Sequence, residues 1–330
     1  MRIKIGIILL LAFCLAGCSI DGIVQETAAP YAETTLATPP TEQPSTSVAA
    51  APDEPTTTPP ETQPPTTEPT RIETVPPQRI VQPEPSDDDF VLVRRYIPDV
   101  FVDLRYATEN NFTNQIIYEF QDAWLRYGTV KKLMLVQEEL KQQGFYLKIW
   151  DGFRPPSAQF QLWEVYPDAT YVTNPNYGFS SHSRGCTVDI TLAYADGTEA
   201  VMPTGFDDFS TLADRNYGDC SAEAAENALL LEECMIKYGF NPYSGEWWHF
   251  TDTRSYPADE VFEPVNVAIY YAECESFIDL WTKPSTVSDV ITKIPSGDRL
   301  HVAAEYGEFA LVEYAGLWGY VSREYLQPVN

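Results

Sequence analysis

Histidine is scarce in this 330-residue chain: there are 3, His182, His249 and His301. Any imidazole chemistry is confined to those positions. Positive charge is scarce too. Against 48 Asp and Glu stand 21 Lys and Arg, a net charge of −27, and such a balance excludes a nucleic-acid or anionic-lipid surface, since both need basic patches. Cysteine numbers 6, at irregular spacings that match no zinc knuckle. Aromatic residues are plentiful. With 20 Tyr, 16 Phe and 7 Trp, a chain of this length can fill a sizeable core and is too long for one typical domain.

The first residues address a compartment. Arg2 and Lys4 form a basic start, and Ile5 to Phe13 form an apolar run too short to span a bilayer comfortably. Leu15-Ala16-Gly17-Cys18 then resembles the lipobox of bacterial lipoproteins. That resemblance implies removal of residues 1–17 as a signal peptide and a lipidated Cys18. The protein is then expected outside the cytoplasmic membrane, held by acyl chains and facing the cell wall. The plainer alternative is an ordinary secretory signal with an incidental cysteine. Cys14 leaves with the leader, so Cys186, Cys220, Cys234 and Cys274 remain, either paired or as free buried thiols.

Residues 18–89 comprise Cys18 and a stalk. From Glu26 to Asp89 the chain is rich in Pro, Thr and Glu and poor in apolar residues. Such a tract cannot bury enough apolar surface to offset its ordering entropy and is expected to stay extended. In a polyproline conformation it would reach up to about 190 Å.

Folded sequence is expected from Phe90. Residues 90–108 read as one or two strands, rich in Val, Tyr, Phe and Leu. Val130, Leu133, Met134, Gln137 and Leu140 recur at helical spacing between Thr129 and Gln143, before a stop at Gly144. Residues 145–150 read as a buried strand, Pro155-Pro156 as the opening of a helix to about Tyr166, and Cys186 to Leu192 as a strand. Ser221 to Tyr238 reads as a helix, followed by a strand within 240–253. Strands, a helix and more strands with mixed connections predict an α+β domain over 90–256.

A break at Pro257 to Pro264 introduces a smaller unit, 265–330. Short apolar runs at 290–294, 300–302, 310–312 and 319–321 read as strands of a small barrel. The segments from Asp279 to Ser285, Leu317 to Ser322 and Tyr325-Leu326 resemble a bacterial SH3-like domain, with Trp281 standing where a small or polar residue is usual. That resemblance implies an all-β barrel that binds cell-wall peptides or packs against its neighbour.

Two histidines have acids nearby. His182 precedes Asp189 by seven residues with Gly185 between as a sharp turn, and Glu246 precedes His249 by three. Two imidazoles and a carboxylate suit zinc, leaving one position for water. Side chains alternate along the 186–192 strand, so Asp189 faces the site while Cys186 turns into the core as a structural thiol. Glu246 and His249 would face opposite sides of a strand, so a turn or bulge is required there. His301, on a barrel strand, reads as a surface residue.

The motifs Ser180-x-His182-x-x-Gly185-x-Thr187-x-Asp189 and Glu246-Trp247-Trp248-His249-Phe250 resemble those of the D-Ala-D-Ala metallopeptidases, the second most closely those of their dipeptidase branch, the vancomycin-resistance D-alanyl-D-alanine dipeptidases. Asp103 to Thr113 and Lys148 to Pro155 are similar as well; Thr187 and Phe153 depart from the usual Ala and Tyr. The resemblance, over about 90–255, implies a small central antiparallel sheet flanked by helices, with one zinc per chain on His182, Asp189 and His249. It implies Glu246 as general base and acid and Arg154 as stabiliser of the oxyanion; the plainer reading of Arg154 is an ion pair with Asp151. Asp151 and Ser180 are candidates to orient the pocket or hold substrate termini, and Trp247 and Trp248 to pack its wall. The expected substrate is D-Ala-D-Ala. The alternatives are a carboxypeptidase acting on peptidoglycan stem peptides, whose branch has Pro after the Glu, and a wall-binding lipoprotein that does not cut.

Overall fold

The structure, a computed structural model, describes residues 80–169 and 171–329; the expected leader, Cys18 and the expected stalk up to residue 79 lie outside them. From Phe90 the chain forms β1 (Phe90–Leu92), the single turn α1 (Val93–Tyr96), β2 (Phe101–Val102) and β3 (Trp124–Arg126). The expected strands of 90–108 are thus broken up, with a further 3-10 turn at Arg105–Ala107. α2 (Tyr127–Lys141) then leads to β4 (Tyr146–Asp151), α3 (Pro156–Val165) to β5 (Thr187–Ala193), and α4 (Ala222–Lys237) to β6 (Phe240–Pro242) and β7 (His249–Asp252).

The helices follow their sequence signals. Val130, Leu133, Val136 and Leu140 are fully buried on one face of α2, while Met134, expected among them, is 40 % exposed. Gly144 and Gly239 adopt φ of +85° and +87° beyond α2 and α4, where a left-handed residue ends a helix. The Ser221 hydroxyl caps α4 by accepting from the Ala224 N–H.

A five-stranded sheet in the order β2-β4-β5-β7-β6 carries the site. It is antiparallel as expected, except that β2 runs parallel to β4. β5 lies at its centre and is buried along its whole length. Its register sets Asp189 opposite Asp151 of β4 on one side and His249 of β7 on the other. Because strand side chains alternate, Cys186, Val188 and Ile190 go to the core instead. All four cysteines in the described residues are free, which answers the open question of pairing.

Strands β8 (Phe262–Ala272), β9 (Phe277–Trp281), β10 (Val290–Pro295), β11 (Arg299–Tyr306), β12 (Phe309–Tyr314), β13 (Leu317–Ser322) and β14 (Leu326–Pro328) form the C-terminal sheet. Ile278, Leu280, Ile294, Leu300, Val312 and Val321 fill its interior. His301 stays outside it, half-exposed and 2.8 Å from Glu313.

Barrel and sheet domain share packing. Phe262, at the start of β8, stacks on Phe90 with ring centroids 4.2 Å apart. Ala304, Leu311 and Tyr320 belong to the same apolar cluster as Trp124 and Phe153. Gln82 to Asp89, expected as the end of the stalk, are bound to the folded unit: Gln82 bonds the Trp318 carbonyl at 3.0 Å and the Trp318 N–H at 2.6 Å, and Asp87 pairs with Arg254 at 2.6 Å. Among the described residues, no helix is long and apolar enough to cross a membrane.

Candidate metal centre and active site

His182 enters from a 3-10 turn, His182–Arg184, that ends at Gly185 with φ +70°. A Cβ on Gly185 would lie 2.3 Å from the Phe90 ring, so both conformation and space require glycine. Asp189 comes from the middle of β5. His249 opens β7, and residues 243–248 loop between β6 and β7. That loop removes the parity conflict, because Glu246 is not on a strand at all. Its carboxylate Oε2 lies 3.4 Å from His249 Nδ1.

His182, Asp189 and His249 bring candidate ligand atoms within 4.8 Å of one another. His182 Nε2 is 3.4 Å from Asp189 Oδ2, and His249 Nδ1 is 3.0 Å from Asp189 Oδ1. Yet Asp189 Oδ1 is a buried oxygen with no hydrogen-bond partner among the described residues. Lone pairs crowded without hydrogen bonding suit atoms that converge on a shared cation. The other nitrogen of His182, Nδ1, lies 2.9 Å from the Gly152 carbonyl. Donation there fixes the tautomer and leaves Nε2 free to ligate. The donor set therefore fits a divalent metal of the zinc type, with room for one more ligand.

Arg154 is buried and held three ways. Its Nη2 lies 2.6 Å from Asp151 Oδ2, Nη1 bonds Gln159 Oε1 at 3.0 Å, and Nε reaches the Tyr118 hydroxyl at 3.2 Å. A guanidinium has five N–H groups, so two stay uncommitted. Burial disfavours its charge, but Asp151 and the surrounding tyrosines keep it a cation. Asp151 is fully buried behind Arg154 and also accepts from Tyr118 and the Gly152 N–H. It braces Arg154 from outside the cavity lining. Ser180 lines the cavity and accepts from the His182 N–H at 3.3 Å.

A cavity of about 360 Å³ opens over these groups, walled in part by Tyr171, Tyr243, Tyr106 and Asp207. Trp247 and Trp248 are buried beneath, Trp247 edge-on to Trp150 and hydrogen-bonded to Thr204. Asp207 has a φ of +52°, left-handed backbone that Asp tolerates better than most residues. Its carboxylate accepts from the Tyr106 hydroxyl at 2.7 Å.

The charges are tuned by burial. Burial works against ionised Asp189, but both imidazoles outweigh it and hold the carboxyl well below the usual range. Burial likewise opposes a charged His182, and Asp189 and Asp151 outweigh it. Burial raises the Glu246 carboxyl despite His249 nearby. Asp207 is pushed up to about 8, by burial first and against the Tyr106 hydrogen bond.

The family model described as D-ala-D-ala dipeptidase matches residues 86–267, and that of the bacterial SH3 domain matches 277–327. The D-alanyl-D-alanine dipeptidase of Escherichia coli (strain K12) is 35% identical over 162 residues, covering 48% of this chain and 83% of that protein. The chain belongs to the D-Ala-D-Ala dipeptidase family. It is a peptidase with a C-terminal bacterial SH3 domain. The D-alanyl-D-alanine dipeptidase of Enterococcus faecium is 32% identical over 181 residues, covering 49% and 90% of the two chains. That of Streptomyces coelicolor is 30% identical over 199 residues, covering 53% and 96%.

Three residues of this dipeptidase-family site had no role in the sequence reading. Tyr106 stood in a matching segment without a task, and Asp207 lies in a loop with no periodicity. Arg215 bonds the carbonyls of Tyr243 at 2.7 Å and of Glu246 and His249 at 3.0 Å each. It braces the whole Glu246–His249 loop from behind. A residue that acts on backbone carbonyls leaves no side-chain pattern to find.

Proposed function

We propose that this protein is a zinc-dependent D-alanyl-D-alanine dipeptidase that works outside the cytoplasmic membrane, anchored through Cys18. His182, Asp189 and His249 would hold the metal. A zinc ion there supplies the Lewis acidity that activates water and polarises the scissile carbonyl. Glu246, 3.4 Å from His249, takes the proton from the attacking water and returns it to the departing amine. Its raised carboxyl suits both tasks. Arg154 lines the cavity, and its two N–H groups uncommitted among the described residues would stabilise the oxygen that gains charge, in a rigid frame that costs no reorganisation.

The observation that carries the dipeptide reading is Asp207. It is a cavity acid outside the ligand set, and among the described residues its hydrogen bond is to Tyr106. An ammonium group would pair with it, and a dipeptide has one where a stem peptide has an amide. Hydrolysis of D-Ala-D-Ala by the wild type and by Glu246→Ala, with zinc content measured for both, tests the proposal. Equal rates would mean that the protein is no enzyme for this substrate.

The second reading, a carboxypeptidase on stem peptides, is favoured by the bacterial SH3 domain, which suits a wall polymer. Wall binding by the barrel belongs to either reading. Metabolic labelling with a lipid precursor tests the anchor, and an unlabelled wild type would rule it out.

A further inference from the structure

Three consecutive carbonyls behind His182 accept hydrogen bonds from outside their own loop. The Ser183 carbonyl accepts from the Asp259 N–H at 3.0 Å, and the Gly185 carbonyl from the Arg126 N–H at 2.8 Å. The Arg184 carbonyl accepts from Arg126 Nε at 3.1 Å. Arg126, at the end of β3, is 6 % exposed. Its guanidinium also bonds the Asp88 carbonyl at 2.6 Å and Asp259 Oδ2 at 3.3 Å, and lies 3.9 Å over the Phe90 ring. Asp259 is held in turn. Its Oδ1 accepts from the N–H groups of Val261 and Phe262, and its Oδ2 from the hydroxyl of Tyr306 on β11 of the barrel.

We infer that Arg126 is a positioning residue for the metal centre, and that the barrel and the bound end of the stalk act on the His182 loop through it. The physical case has two parts. A buried guanidinium ties four chain segments together, and a buried Arg–Asp pair tolerates little displacement because each charge depends on the other. The loop it holds is one turn long, so a shift of its carbonyls moves the His182 ring. Arg215 does the same for the Glu246–His249 loop, so each ligand loop has its own arginine. Only the one at Arg126 leads out to the barrel. The barrel is then a structural part of the peptidase centre as well as any binding module.

This rests on the metal-site reading above and is tested apart from it. Arg126→Lys keeps the charge but cannot span Asp88, Arg184 and Asp259 together. Tyr306→Phe removes one hydroxyl on the barrel side. Both are made in the full chain and compared with wild type for melting temperature, zinc release to a chromophoric chelator, the visible spectrum of the cobalt-substituted protein, and kcat and KM. For Arg126→Lys we expect release faster by about 10-fold or more, an altered cobalt spectrum, and a fall in kcat with little change in KM. Tyr306→Phe should move the same readouts in the same direction by roughly threefold, and it decides the matter if Arg126→Lys does not fold. Wild-type release rates and cobalt spectra in the folded variants, with only the melting temperature lowered, would overturn the inference. A wild type that takes up no metal would instead overturn the reading of the site.

Discussion

His249 Nδ1 and Asp189 Oδ1 lie 3.0 Å apart across the β5–β7 ladder without a hydrogen bond between them. Their register sets them face to face, and the loop after β6 turns the imidazole so that its nitrogen and the carboxylate oxygen point at common ground. Asp189→Asn keeps shape and removes charge. Since supporting residues around a metal cost about 10- to 100-fold in affinity, loss of a ligand should cost more than about 100-fold. Titration of metal-free protein with zinc, read by calorimetry, checks this.

Glu246 lies beside the proposed ligands, 3.4 Å from His249, without being one of the set. Glu246→Gln should retain wild-type zinc content while hydrolysis slows by about 100- to 10,000-fold, the range for a lost general base. Metal analysis and initial rates on the same preparation measure both.

Asp207 places a cost on the fold. In the metal-free folded chain its carboxyl holds a proton up to about 8, against an ordinary value of 3.8. Below the unfolded value both states are protonated and nothing is lost. As pH rises through that window the unfolded chain releases the proton first, so stability falls until the folded group ionises too. Asp207→Asn removes the loss. The variant should melt a few degrees above wild type at pH 8–9 and level with it near pH 3.5, while its KM for D-Ala-D-Ala rises. Thermal melts across that pH range supply the check.

Gly185→Ala meets two obstacles at once, a φ of +70° and a Cβ 2.3 Å from Phe90. The left-handed conformation alone costs about 1–2 kcal/mol, and displacing Phe90 would disturb its stack with Phe262. Denaturant unfolding should show a loss of more than about 2 kcal/mol.

Much of this was legible in residue order. Alternation along 186–192 separates Asp189, which lies beside His182 and His249, from Cys186 in the core, because a strand has one period. The ranges of α2, α3 and α4 followed from apolar spacing and from Gly144, Pro156 and Gly239. The Glu246–His249 spacing was legible only as a conflict, which a loop resolves. Asp207 was not legible, since one acid in an aperiodic turn looks like any other. Nor were Arg126 and Arg215, whose work is done on carbonyls. Gln82 to Asp89 share the stalk's composition, yet Gln82 meets both backbone groups of Trp318, and composition carries no trace of such a partner.

Recognition of a free amino end beside the scissile bond is assigned to Asp207 in the proposed function. The direct test compares kcat/KM for D-Ala-D-Ala, N-acetyl-D-Ala-D-Ala and a stem pentapeptide ending in D-Ala-D-Ala. A preference for the free dipeptide of at least about 100-fold is expected, since its ammonium ionises Asp207 and pairs with it, whereas an amide N–H in that place leaves the contact unmade. Equal or faster cleavage of the acetylated dipeptide or the pentapeptide would contradict it.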